Sequence, residues 1–98
     1  MTDITEGTKT PAFLMAEKIA KAINAKFPNH THFVRRIETG DFAFYEIALR
    51  PKNGSHNDEV TTAYSEPWFE EIDTTNMRDR ALRILKNFRI LMGLPHSE

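Results

Sequence analysis

The stretch Phe33 to Leu49, FVRRIETGDFAFYEIAL, decides how the rest of the chain must fold. Two β-rich runs flank Gly40-Asp41, and Gly at the first central position of a two-residue connection suits a type II′ turn, whose twist matches that of paired strands. The register follows from that turn. Thr39 opposes Phe42, which pairs Ile37 with Phe44, Arg36 with Tyr45, Arg35 with Glu46, Val34 with Ile47 and Phe33 with Ala48. One face of the hairpin then carries Phe33, Ile37, Phe42, Phe44 and Ala48 around the Arg35 and Glu46 pair. The other carries Val34, Ala43, Tyr45, Ile47 and Leu49 beside Arg36 and Glu38. Neither face is wholly polar, so a sheet covered by helices on one side keeps apolar groups on the other.

Upstream, residues 1–9 (MTDITEGTK) are polar and without periodicity, which predicts a disordered arm. Thr10 can cap a helix that Pro11 opens. Phe13, Ala16, Ile19, Ala20, Ile23 and Phe27 then form one apolar stripe, and Pro28 ends the helix near Phe27. Downstream, the first strand runs from His32 to Thr39 and the second from Phe42 to Arg50. Pro51 to Asp58 (PKNGSHND) is a surface loop by its turn residues. Glu59 to Tyr64 alternates as a third strand that Pro67 limits or ends, and Trp68 and Phe69 follow as aromatics that either close the core or project as an anchor. A final helix from Asn76 to Met92 has Asp73, Thr74 and Thr75 as caps, and Gly93 and Pro95 as its stop. Met77, Ala81, Ile84, Leu85, Phe88, Leu91 and Met92 form its buried stripe, and residues 96–98 are a tail. The order α-β-β-β-α predicts a single α+β domain over residues 10–95, a three-stranded antiparallel meander with two helices on one face.

Bulk properties narrow the function classes. The 98 residues are 40% hydrophobic with a net charge of −1, enough for one modest core and too little positive charge for a general polyanion binder. No cysteine is present, so thiol chemistry, disulfides and cysteine metal sites are out of reach, and a cytoplasmic setting is expected. No run approaches the roughly 20 apolar residues of a membrane span, so no membrane is expected as a partner. Ser55, Ser65 and Ser97 lie in no nucleophile-elbow context, and the glycines form no phosphate loop. The expectation is therefore a protein that is not an enzyme and uses no cofactor. His30, His32 and His56 with Asp58 show no metal-ligand spacing, so no metal is expected either. Asp58, Glu59, Glu66, Glu70, Glu71 and Asp73 lie in a stretch, Asn53 to Met77, that has no Lys or Arg. They read as a solvated acidic surface.

The final helix is more specific. Arg78, Arg80, Arg83, Lys86 and Arg89 stand against one acid, Asp79. Leu82 and Ile90 fall outside its apolar stripe and among these cations, which marks a mixed contact surface of Arg78, Leu82, Arg83, Lys86, Arg89 and Ile90. The expected function is a protein-binding module, a small accessory or inhibitory protein of viral or mobile-element origin that acts by surface contact. The alternative is a nucleic-acid-binding domain using this basic helix with Lys18, Lys21 and Lys26. Surplus apolar surface on the hairpin and around Leu82 and Ile90 also predicts a homodimer.

The element order resembles that of the double-stranded-RNA-binding domain over most of the chain. The hairpin connection here is only Gly40-Asp41, too short to reach a minor groove. No Lys-Lys pair opens the second helix, where Arg78 and Arg80 are the nearest substitutes. The resemblance is one of topology, and topology alone does not license a function.

Overall fold

The computed structural model describes residues 10–95; the expected arm and tail lie outside the described residues. The elements are helix α1 (Pro11–Asn24), strands β1 (His30–Thr39), β2 (Phe42–Pro51) and β3 (Val60–Ser65), and helices α2 (Glu66–Glu70) and α3 (Met77–Leu91), with a 3-10 turn at His56–Asp58. The strands form one antiparallel sheet in the order β1-β2-β3. Every hairpin pair expected from the turn is present, from Thr39 against Phe42 to Phe33 against Ala48.

Gly40 has φ +58°, the left-handed conformation that a two-residue hairpin connection demands of its first central residue. A Cβ there would meet nothing within 4 Å, so a side chain costs only backbone strain. Gly40→Ala is expected to lower stability by about 1 kcal/mol and Gly40→Asn by less, because Asn tolerates this region better. Chemical denaturation of the two variants beside the wild type measures both.

The core forms where the helix-facing side of the sheet meets α1, α2 and α3. Tyr45, Ile47 and Leu49 from β2 pack with Ala12, Ala16, Ile19, Ala20 and Ile23 of α1, Phe69 of α2, and Ile84 and Phe88 of α3. Small residues on α1 let that helix lie close to the strands. Its start is as expected, with the Thr10 hydroxyl accepting the Phe13 N–H at 3.0 Å. Its end comes earlier than expected, at Asn24 instead of near Phe27. Pro28 requires Phe27 to leave helical geometry, and the chain tightens first, with Phe27 N–H donating to the Asn24 carbonyl at 2.9 Å. The Asn24 side chain then fastens the turn to β1, donating to the His30 carbonyl and meeting His32 Nδ1, both at 2.8 Å.

Helix α2 is the element that strand periodicity alone does not reveal. Ser65 ends β3, and its hydroxyl accepts the Trp68 N–H at 3.3 Å, while Pro67 stands in the first turn, where a missing N–H costs nothing. This turn carries Phe69 into the core and lays Trp68 flat on Tyr64, ring centroids 4.0 Å apart. The two aromatics thus close the core. α3 then packs beside β3, where Asn87 Nδ2 donates to the Tyr64 hydroxyl at 2.6 Å.

Candidate functional site

The outward arc of α3 is built from the residues the sequence singled out. Leu82, Lys86 and Ile90 recur every fourth residue and so form one row along the helix, with Leu82 and Ile90 about 12 Å apart. Arg83 flanks the row on one side, and Arg78 and Arg89 flank it on the other. Leu82 is 47% exposed and Ile90 49%, so neither belongs to the core. Leu91, expected in the buried stripe, is a correction: it stands at the last residue of α3 and is 57% exposed, and with Leu94 just beyond the helix it extends the apolar surface. Arg89 reaches back to the Pro95 carbonyl at 3.5 Å, a weak contact. Among the described residues, the side chains of Arg78, Arg83 and Lys86 make no hydrogen bond or ion pair. Arg80 is different: it turns inward over the Trp68 ring, its Cζ 4.8 Å from the centroid, and donates to the Trp68 carbonyl at 2.8 Å. Its charge serves α2 packing and not the outer arc.

The acidic stretch divides in a way its composition does not suggest. Asp58, Glu70, Glu71 and Asp73 are exposed, as expected of a solvated surface. Glu59 is a correction to that expectation, with a side chain only 5% exposed. Its Oε2 accepts from Arg35 Nη2 at 2.9 Å and from Arg50 Nη2 at 2.7 Å. Hydrogen bonding from Arg35, with Arg50 beside it, pulls the Glu59 carboxyl down to about 2. Arg35 also donates to Glu46 at 3.0 Å, and these carboxylates hold its guanidinium above its ordinary range. Arg50 and Arg35 both lie over the Phe33 ring, 4.6 and 5.5 Å from its centroid.

This cluster answers what covers the sheet face turned away from the helices. Ala48 lies on that face, opposite Phe33 on β1 and Thr61 on β3 and between Glu46 and Arg50 along β2, and is nonetheless 0% exposed. The cover stops short of the hairpin tip, where Phe42 is 68% and Ile37 37% exposed. The signal for Glu59 was present in the sequence only conditionally. It falls opposite Arg50, one step beyond the Leu49 and Val60 pair, but the long loop between β2 and β3 imposes no register of its own.

Glu66 is likewise structural, accepting the Tyr45 hydroxyl at 2.9 Å with Arg36 Nε 3.6 Å away. With the phenolic proton committed to Glu66, the Thr10 hydroxyl donates to Tyr45 across 2.8 Å. Burial raises the Tyr45 phenol above its usual range. Arg36 also meets Glu38 at 2.6 Å, and that bond raises its guanidinium further. Of the histidines, His32 is held by Asn24, and His56 stands 3.6 Å from Glu59. Among the described residues, no group of three or more His, Cys, Asp or Glu is placed to hold a metal ion, and no helix is long and apolar enough to cross a membrane.

Comparison with protein-family models, curated proteins and solved structures finds no match to this chain, so the site is read from its own residues.

Proposed function

We propose that the chain is a non-enzymatic protein-binding module that receives an acidic, amphipathic partner segment on the outer arc of α3. The observation that carries this reading is the exposure of Leu82 and Ile90 in one row with Lys86, between the unpaired cations Arg78 and Arg83. An apolar pair two helical turns apart fits the anchors of a partner helix, and the flanking cations fit its acidic rim. A phosphate backbone has use for the cations and none for the leucine and isoleucine. A second α3 is also a poor occupant. Antiparallel pairing about Lys86 sets Leu82 against Ile90 but brings two lysines and their arginine neighbours together, and like charges across an interface are repulsive.

Affinity capture from the native host, with wild-type and variant baits compared, tests this reading. Leu82→Asp and Ile90→Asp are each expected to weaken the captured partner's binding by roughly 10- to 100-fold in a purified titration. Arg83→Glu with Lys86→Glu is expected to do the same, and circular dichroism should stay unchanged, because all four residues are solvent-facing. Duplex or single-stranded nucleic acid bound with a steep log-linear salt dependence, and indifferent to Leu82→Asp, would replace this reading with nucleic-acid binding.

A further inference from the structure

We infer that the free edge of β1 pairs with the same edge of a second copy of this chain, joining two sheets into one of six strands through a two-fold axis at Arg35. The inference does not involve α3 and stands apart from the partner proposed for that helix.

The hairpin geometry decides which backbone groups face the edge. The residues flanking a two-residue connection form a hydrogen-bonded pair, and pairs then alternate along the ladder. Thr39, Ile37, Arg35, Phe33 and Thr31 therefore spend their N–H and C=O groups on β2. The bond from Lys52 N–H to the Asn29 carbonyl, 2.8 Å, continues that alternation. His30, His32, Val34, Arg36 and Glu38 point theirs away from β2. Asn24 occupies the His30 carbonyl; from His32 to Glu38 no described residue fills the outward groups.

Edge strands are guarded by proline, a bulge, shortness or charged side chains. β1 has none of the first three, and its edge-facing charges, Arg36 and Glu38, are paired with each other at 2.6 Å. The strand is 10 residues long, its sequence HTHFVRRIET has no proline, and its register with β2 runs unbroken. β3 at the other edge is 6 residues long, ends directly in α2 and is met by Asn87 from α3.

Self-complementarity selects the occupant and the register. In an antiparallel pair about Arg35, His32 lies opposite Glu38 of the second copy, and Val34 opposite Arg36 of the second copy, each exchanging both backbone hydrogen bonds. On the face away from the helices, Phe33 meets Ile37 of the second copy, an apolar pair that covers Ile37, 37% exposed in the single chain. Shifting the axis to Arg36 sets that arginine against itself and Val34 against a glutamate. Shifting it to Val34 sets His32 against Arg36 and Thr31 against Ile37. Placing the axis at Arg35 brings two copies of this residue together, but each guanidinium is drawn across its own sheet to Glu46 and Glu59, away from the edge.

The chain has no cysteine, so a single introduced thiol reports the register cleanly. At the axis, Arg35 would face its copy as a non-hydrogen-bonded pair with Cα atoms about 4.5 Å apart, close enough for a disulfide. Thr39 would lie about 26 Å along the strand from its copy. Gel filtration with light scattering at tens of micromolar is expected to give the mass of two wild-type chains. Under mild oxidation Arg35→Cys should form a covalent dimer and Thr39→Cys should not. Glu38→Pro removes an outward N–H without touching the β1 and β2 ladder, and is expected to yield a folded monomer by light scattering and circular dichroism. A wild-type mass of one chain would overturn the inference. So would a dimer that crosslinks through Thr39→Cys in preference to Arg35→Cys, or one that survives Glu38→Pro undiminished.

Discussion

Phe69→Ala is expected to remove about 3 to 5 kcal/mol of folding stability, the usual range for deleting a fully buried phenyl ring. Phe69 is 1% exposed and stands where three other rings converge, with centroids 5.1 Å from Trp68, 5.9 Å from Tyr45 and 6.4 Å from Tyr64, all edge-on. The lost burial is only part of the cost. Tyr45 and Tyr64 are tied by hydrogen bonds to Glu66 and Asn87, so neither can move freely into the space left behind. A domain of this size has roughly 5 to 15 kcal/mol of stability in total, so the variant should lie close to its unfolding threshold at ordinary temperature. Urea denaturation measures the difference directly. A loss below about 1 kcal/mol would mean that α2 rests on the core without anchoring it.

The parts of this fold that were legible in the sequence are those in which local chemistry and tertiary packing agree. Gly40-Asp41 set the hairpin register because a two-residue connection leaves one pairing available, and the α3 stripe is long enough for helical periodicity to be unambiguous. Leu82 and Ile90 could be placed outside the core for the same reason. Helix α2 was hidden because it is only 5 residues long and begins at a proline that can as well terminate a strand as open a helix. The roles of Glu59 and Glu66 were hidden for a different reason. Each depends on a partner from a distant segment, Arg35 and Arg50 for one and Tyr45 for the other. Composition sees only a run of acids without neighbouring bases. The same limit applies to Arg80, whose wheel position suggests an outward cation until α2 supplies Trp68 beneath it.

Glu59 makes the pH dependence of stability predictable in sign. Its carboxyl titrates near 2 in the folded chain, against an ordinary value of 4.5, so the folded state prefers the charged form. A depressed folded pKa contributes stability that is complete above the unfolded value and is lost as pH falls toward the folded one, here between about pH 5 and pH 2. The arginine partners are 36% and 31% exposed, so water screens part of the attraction, and the contribution is on the order of 2 kcal/mol. Glu59→Gln keeps the shape and removes the charge. Arg35 retains Glu46, and Arg50 can stay on the Phe33 ring with its head toward water, so no buried charge is stranded. The cost near neutral pH should therefore remain at about 2 kcal/mol, below the 3 to 5 of a broken fully buried pair. Wild type and Glu59→Gln are expected to converge as the pH approaches 2, because the wild-type carboxyl is then losing its charge. Other titrating groups, Asp73 among them, are common to both proteins and cancel in the difference. Urea midpoints measured for both proteins across this range decide the matter: a difference that stays constant with pH would show that the Arg35, Arg50 and Glu59 cluster contributes by packing alone.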